Sequence, residues 1–301
     1  MQTNNLKEAH IPVLLQEVLD IINPQDNGVY VDATFGAGGY AKAILSKANC
    51  NVIGIDCDQY TQSYATQIRQ VFGNRFHFVN DNFVNVGTVL EKLNIQLING
   101  IVFDLGVSSM QLEDKDRGFS FTGDAPLDMR MDNRLSITAT KLVNELREKE
   151  LADLIYQYGG ERKSRLIAKN IVHFRQKKKI VTTSQLVKAM QAVKRGYRDD
   201  IHFATRTFQA LRIAVNNELE SLSIALEKSP ALLAPQGTIS VVTFHSLEDK
   251  IVKEFFKKIS TKECRNTFEV VNKKVITPSY TEIKANPRSR SAKLRGLRRV
   301  K

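Results

Sequence analysis

VYVDATFGAGGY, Val29–Tyr40, decides the fold. Its first residues are strand-prone and run into Asp32, Gly36, Gly38 and Gly39 make a tight turn, and Ala41–Lys47 has helical spacing. Strand, glycine turn, helix is the order in which a doubly wound α/β protein offers backbone N–H groups and a helix N-terminus to a nucleotide-like ligand. Glycines let such a turn bend sharply and a ligand come close to the backbone. Seventeen residues beyond Gly39, the apolar run Asn51–Ile55 ends in Asp56. An acid at the tip of the second strand is placed to bind both hydroxyls of a ribose. A purely structural turn is the plainer alternative.

Working outward, Leu14–Ile22 has helical spacing and stops at Asn23-Pro24. Tyr60–Phe72 reads as a helix, Phe76–Val79 as a strand, Val86–Leu93 as a helix and Asn99–Asp104 as a fourth strand. Phe83 follows the third strand's carboxyl end, the side on which open α/β sheets bind ligands. It fits stacking on a base or packing in the core equally well. Asp32, Asp56 and Asp104 each close a strand along one edge. Carboxylates left unpaired there would repel one another, which argues for a site.

The chain has 301 residues, 42% hydrophobic and 25% charged, with a net charge of +12. That length suits one large domain, or two with one inserted in the other. The positive balance favours a polyanionic partner, nucleic acid first. Cys50, Cys57 and Cys264 show no metal-ligand spacing and cannot all pair. Reduced thiols in a cytoplasmic protein, with no bound metal, are expected. No segment approaches the ~18 uninterrupted apolar residues of a spanning helix, and Lys7, Glu8 and His10 are unlike a signal peptide. No membrane association is expected.

After Gln111 the strand–helix alternation ends. Glu113–Asn133 is polar and irregular, with acids and arginines interleaved, and is too long for a passive connector. Thr138–Leu146, Lys149–Tyr158, Ser164–Arg175 and Ser184–Val193 are helical in pattern. The reading is a small all-helical domain, residues 112–204, inserted in a sheet domain built from residues 1–111 and 205–301. Arg162–Lys179 holds eight Lys/Arg and His173 with no acid, and basic residues recur at Lys194, Arg195 and Arg198. The run is a solvated face or a phosphate-binding surface.

Ala204–Leu226 reads as one long amphipathic helix, Pro235–Gly237 as a turn and Thr238–Thr243 as a fifth strand. Ser246 is placed to cap the helix that follows. His245, at a strand's carboxyl end, is a site candidate or a satisfied structural histidine. Phe268–Ile276 and Ala292–Arg298 read as an antiparallel pair closing the sheet. The stretch Lys284 to Lys301 holds eight basic residues and no acid; within it Arg288, Ser289 and Arg290 either grip phosphates or belong to a flexible, solvated tail.

HIPVLLQEV from residue 10, VDATFGAGGY from 31, FDLGVSSMQL from 103, RGFSF from 117, PLDMRMD from 126, YGGERKSRLIAKNIV from 158, ATRTFQALRIAVNNEL from 204, FHSLEDKIVK from 244 and NPRSRSAKLR from 286 occur in that order. Together they resemble the ribosomal RNA small-subunit methyltransferase H (MraW) family over nearly the whole chain. The chain is shorter than relatives between Ile259 and Lys284. The resemblance implies a class I, Rossmann-like α/β fold with a mainly parallel seven-stranded sheet. It implies S-adenosylmethionine as methyl donor, and N4 of a cytidine in the decoding region of 16S rRNA, within the small ribosomal subunit, as target. Gly38, Gly39 and Tyr40 would lie against the cofactor, Asp56 on its ribose and Phe83 beside its adenine. Asp104 and Gln111 would complete the pocket, with the helical insert facing RNA and a homodimer left open.

Cytosine N4 is a poor nucleophile, because its lone pair is delocalised into the ring. Holding amine, methyl and sulfur in line removes much of the entropic barrier, and accepting hydrogen bonds from the amine helps nitrogen pyramidalise. Asp104 or a nearby backbone carbonyl is the group expected to receive the amine, with His245 and Ser246 beside the base. The target base must also leave its stack. An NAD-dependent oxidoreductase is disfavoured, since the turn reads G-x-G-G rather than G-x-G-x-x-G. A DNA amino-methyltransferase is disfavoured by the missing prolines after Asp104. A non-catalytic RNA-binding protein is the remaining alternative.

Overall fold

The computed structural model describes residues 12–194, 202–261 and 267–301. Lys7, Glu8, His10, Arg195, Arg198 and Cys264, named above, lie outside the described residues. In order, the sheet unit runs α1 (Leu15–Ile22), β1 (Val29–Asp32), α2 (Gly39–Lys47), β2 (Asn51–Ile55), α3 (Gln62–Phe72), β3 (Phe76–Val79), α4 (Val86–Lys92) and β4 (Ile98–Asp104). Next come α5 (Ser109–Glu113), α6 (Ala139–Glu145), α7 (Glu148–Gly159), α8 (Ser164–Lys177), α9 (Thr183–Ala189) and α10 (Thr205–Asn216). The sheet resumes through α11 (Glu218–Leu232), β5 (Leu233–Thr243), α12 (Ser246–Ile259), β6 (Phe268–Val270), α13 (Tyr280–Ala285) and β7 (Lys293–Arg299).

The sheet has seven strands in the order β3-β2-β1-β4-β5-β7-β6. Neighbours from β3 to β5 pair parallel, and β7 runs antiparallel to both β5 and β6. Alternation along each strand sends Tyr30, Val52, Val102 and Val242 to one face with α1, α2 and α3. It sends Val31, Ile53, Ile101 and Val241 to the other with α4, α11 and α12. Both faces are covered, as parallel strands require. Burying each such side chain contributes about 1.5–3 kcal/mol.

Backbone contacts divide the chain into Met1–Gly106 with Leu219–Lys301, and Val107–Glu218. The second unit has its own apolar core, with Leu151, Ile155, Ile167, Ile171, Leu186 and Leu211 fully buried. The sequence reading gives α10 to the sheet domain. Here its Phe208, Leu211 and Val215 pack into the helical core instead.

The long helix expected over 204–226 is two helices. Asn217 adopts φ 49°, ψ 40° and ends α10, a left-handed conformation that asparagine tolerates better than most residues. Pro235–Gly237 is not a separate turn. It lies within β5 where the β4–β5 register shifts from Ile98↔Leu233 to Gly100↔Thr238, with Gln236 at φ 66°. The strand expected over 268–276 is only three residues long; α13 intervenes before β7. No helix among the described residues is long and apolar enough to cross a membrane.

Candidate active site at the carboxyl edge of the sheet

Strand order reverses between β1 and β4, which are direct neighbours. In a doubly wound sheet the helices on either side of that point diverge and leave a crevice beyond the strand ends. Asp32 closes β1 and Asp104 closes β4, on the two sides of this point. Asp56 follows β2 next door.

Each acid is held differently. Asp32 is fully buried, and its Oδ2 accepts the Ala41 N–H at 3.0 Å at the start of α2. Its pKa is raised to about 7, by burial first, against the lowering hydrogen bond from the Ala41 N–H and with a smaller upward push from the Asp56 charge. Asp104 is pushed well above the ordinary carboxylate range by burial first, then by the charges of Asp32 and Glu248. Its backbone N–H donates to Thr34 Oγ at 2.6 Å. Oδ1 of Asp32 and Oδ1 of Asp104 are buried with no hydrogen-bond partner. Asp56 Oδ2 accepts the Gly36 N–H at 2.7 Å and Oδ1 the Asp58 N–H at 2.8 Å. The glycine turn thus orients the second-strand acid directly.

The glycines have separate reasons. Gly36, at φ 53°, has no atom nearer its missing Cβ than Thr34 O at 3.9 Å, so space there is open. Gly38 caps α2 at φ 76°, and a Cβ would meet Ile68 Cδ1 at 2.3 Å and Phe35 at 2.6 Å. A Cβ on Gly39 would meet Pro12 Cγ at 2.2 Å. Gly38→Ala is therefore expected to destabilise the fold by about 2–4 kcal/mol, combining left-handed strain with overpacking. Urea unfolding of the variant measures it, and an unchanged midpoint would show that neither contact is tight.

Tyr40 is buried, and its hydroxyl donates to the Val13 carbonyl. A ligand would meet it through the backbone rather than the ring. Leu14 beside it is left-handed at φ 54°, ψ 36°, a conformation costing about 1–2 kcal/mol outside glycine. Its N–H donates to Glu282 Oε1 at 2.7 Å, which offsets that strain. Residues 12–14 are thereby fastened over the glycine turn.

Phe83 is partly buried on the core and meets Phe103 edge-on, with ring centroids 5.7 Å apart. Ser246 is exposed and is the first residue of α12, not its cap. His245 is the cap: its side chain accepts from the Glu248 N–H, and Glu248 Oε2 accepts from the His245 N–H at 3.2 Å. His245 Nε2 lies 3.0 Å from Glu248 Oε1 but out of line for a hydrogen bond, and it is buried without one. Glu248, which the sequence reading did not single out, is buried and its charge reaches Asp104. It stands where a capping box places its carboxylate, three residues after the cap, but His in place of the usual Ser or Thr hides that signal in the sequence.

Gln111 belongs to the helical unit. There its side-chain carbonyl accepts the Ser108 N–H at 3.0 Å, and its own N–H donates to Ser108 Oγ at 3.2 Å. In the same unit the polar loop is tightly tied. Asn216 bridges the Met131 N–H and the Met129 carbonyl, and Arg117 donates to the Arg130 and Met131 carbonyls.

A cationic nucleoside suits this edge. Orphaned carboxylate oxygens offer acceptors to positive charge, and Gly36 leaves room beside the Asp56 that it orients. The sequence matches the MraW methylase family over residues 7–300. The ribosomal RNA small subunit methyltransferase H of Ehrlichia canis (strain Jake) is 51% identical over 296 residues, covering 97% of this chain and 100% of that one. Its counterpart from Wolbachia sp. subsp. Drosophila simulans (strain wRi) is 51% identical over 292 residues, covering 97% and 99%. Matched along almost its whole length, this chain is an S-adenosylmethionine-dependent methyltransferase and belongs to the MraW methylase family.

Proposed function

We propose that the protein methylates the exocyclic N4 amine of a cytidine in the decoding region of 16S rRNA, in the cytoplasm. The observation that carries this reading is the pair of buried, partnerless carboxylate oxygens of Asp32 and Asp104 at the β1–β4 switch point. The names of the close relatives supply the rRNA.

When bound, S-adenosylmethionine supplies an electrophilic methyl carbon on a positively charged sulfur. Asp56 holds the ribose hydroxyls, the backbone of Gly38, Gly39 and Tyr40 lies against the cofactor, and Phe83 flanks the adenine. Asp104 completes the pocket. Asp104 Oδ1 accepts a hydrogen bond from the amine, turning the nitrogen lone pair out of the ring, and takes the proton the nitrogen sheds. A carboxyl held above its ordinary pKa is a better proton acceptor than a solvated one. Glu248 fixes the entry of α12 through the His245 cap, so His245 positions rather than reacts, and Ser246 stands at the same corner beside the base.

Mass spectrometry of small-subunit rRNA from cells with and without the protein tests the target. Loss of N4-methylcytidine at one position is expected. An unchanged level of that nucleoside, with another methylated base disappearing instead, overturns the assignment.

A further inference from the structure

The acid-free basic run resolves, on α8, into two kinds of basic side chain. Arg175 is half-buried and structural: its guanidinium donates to the Val143 carbonyl at 2.7 Å and the Leu146 carbonyl at 2.6 Å, closing the end of α6. Arg165, Lys169, His173 and Lys177 stand four residues apart and are all exposed, while Ile167, Ala168 and Ile171 face the core. Residues at i, i+4, i+8 and i+12 form a single ridge along a helix. Each step rises ~6 Å, so the ridge is ~18 Å long. No ion pair among the described residues uses Arg165, Lys169 or Lys177. Exposed Arg162, Lys178 and Lys179 extend it at both ends. Elsewhere in the same unit arginines are paired: Arg130 with Asp128, Arg134 with Asp132 and Arg212 with Glu218.

We infer that this ridge of α8 is a docking surface for the sugar–phosphate backbone of RNA, gripping successive phosphates of one strand without reading bases. The inference rests on the proposed rRNA substrate and adds which face of the protein tracks it. A spaced row of unpaired cations complements a row of regularly spaced anions, and a helix ridge matches a strand in being linear. Phosphate contacts of this kind set register and orientation and leave base choice to the catalytic pocket.

The test is binding, not turnover, so an incorrect target base leaves it standing. A labelled small-subunit rRNA fragment is titrated with the full-length protein and with the variant Arg165→Gln/Lys169→Gln/Lys177→Gln at several salt concentrations. Each phosphate contact contributes about 0.7–0.9 to the slope of log affinity against log salt. The triple variant is expected to lose about 2–3 from that slope and at least ten-fold in affinity at low salt, with cofactor binding and melting temperature unchanged. A control that removes the same charge elsewhere, Lys47→Gln/Lys92→Gln/Lys257→Gln, alters three exposed lysines of the sheet unit and should leave the slope near that of the parent. Equal slopes for parent and α8 variant overturn the inference. So does equal loss in both variants, which would make the effect one of net charge. Intact binding to the RNA fragment with lost binding to whole subunits also overturns it, and assigns the ridge to an acidic protein.

Discussion

Asp104→Ala is expected to slow methyl transfer ~10²–10⁴-fold, the range contributed by a positioned proton acceptor. Single-turnover transfer to rRNA at saturating cofactor reads this directly. Asp104→Asn keeps the shape and can still accept a hydrogen bond through its oxygen, but cannot take a proton. Asn therefore separates orienting the amine from receiving its proton: near-parental rates in Asn would reduce Asp104 to an orienting role, and near-parental rates in Ala would remove it altogether. The carboxyl's environment adds a sign. Burial, then the charges of Asp32 and Glu248, hold its proton on. A cation bound beside it favours the ionised form, so cofactor binding should release protons and tighten as pH rises. Calorimetry in buffers of different ionisation enthalpy counts those protons, and a count of zero would mean the carboxyl was already ionised.

The second large effect concerns stability. Asp32 is fully buried, with its pKa raised from 3.8 to about 7. Between those values the folded chain keeps the proton and the unfolded chain has lost it. Folding then binds protons, so this group's favourable contribution is complete below about pH 4 and is lost as pH rises through 7. The displacement, 7 minus 3.8 or about three pH units, corresponds to roughly 4 kcal/mol. Asp32→Asn does not titrate and can still accept the Ala41 N–H. Relative to the parent, the variant should gain stability from pH 4 to about pH 7 and level off above it, offset by ~1–3 kcal/mol for an amide N–H₂ lacking a partner. Urea unfolding across that range measures the difference. Parallel curves would show that Asp32 is ionised in the folded protein, with its burial compensated by neighbours.

Much of the sheet was legible because its signals are local. Glycines and acids punctuate the strands, and β1, β2 and β3 fall on the residues that the apolar runs delimit. The edge that gathers Asp32, Asp56 and Asp104 follows from parallel pairing alone. What was missed depends on backbone states or long-range partners. Asn217 inside an amphipathic run looks like one more polar helical residue until its left-handed φ is known. His245 and Ser246 both stand at the start of α12, and only the side-chain hydrogen bond separates cap from first residue. Tyr40 sits in the most telling motif, yet its hydroxyl serves the Val13 carbonyl. Within the basic run, composition cannot tell Arg175, spent on carbonyls, from its exposed neighbours on α8.

The hydrogen bond from Leu14 to Glu282 joins positions 268 apart in sequence. A ribosome making this chain has therefore produced the glycine turn and strands β1 to β6 before that hydrogen bond can form. Pro12 and Val13 can reach the turn as soon as residues 12–40 have folded, but the left-handed Leu14 gains its carboxylate partner only once α13 has been made, so a chain synthesised from its N-terminus settles this corner in two stages.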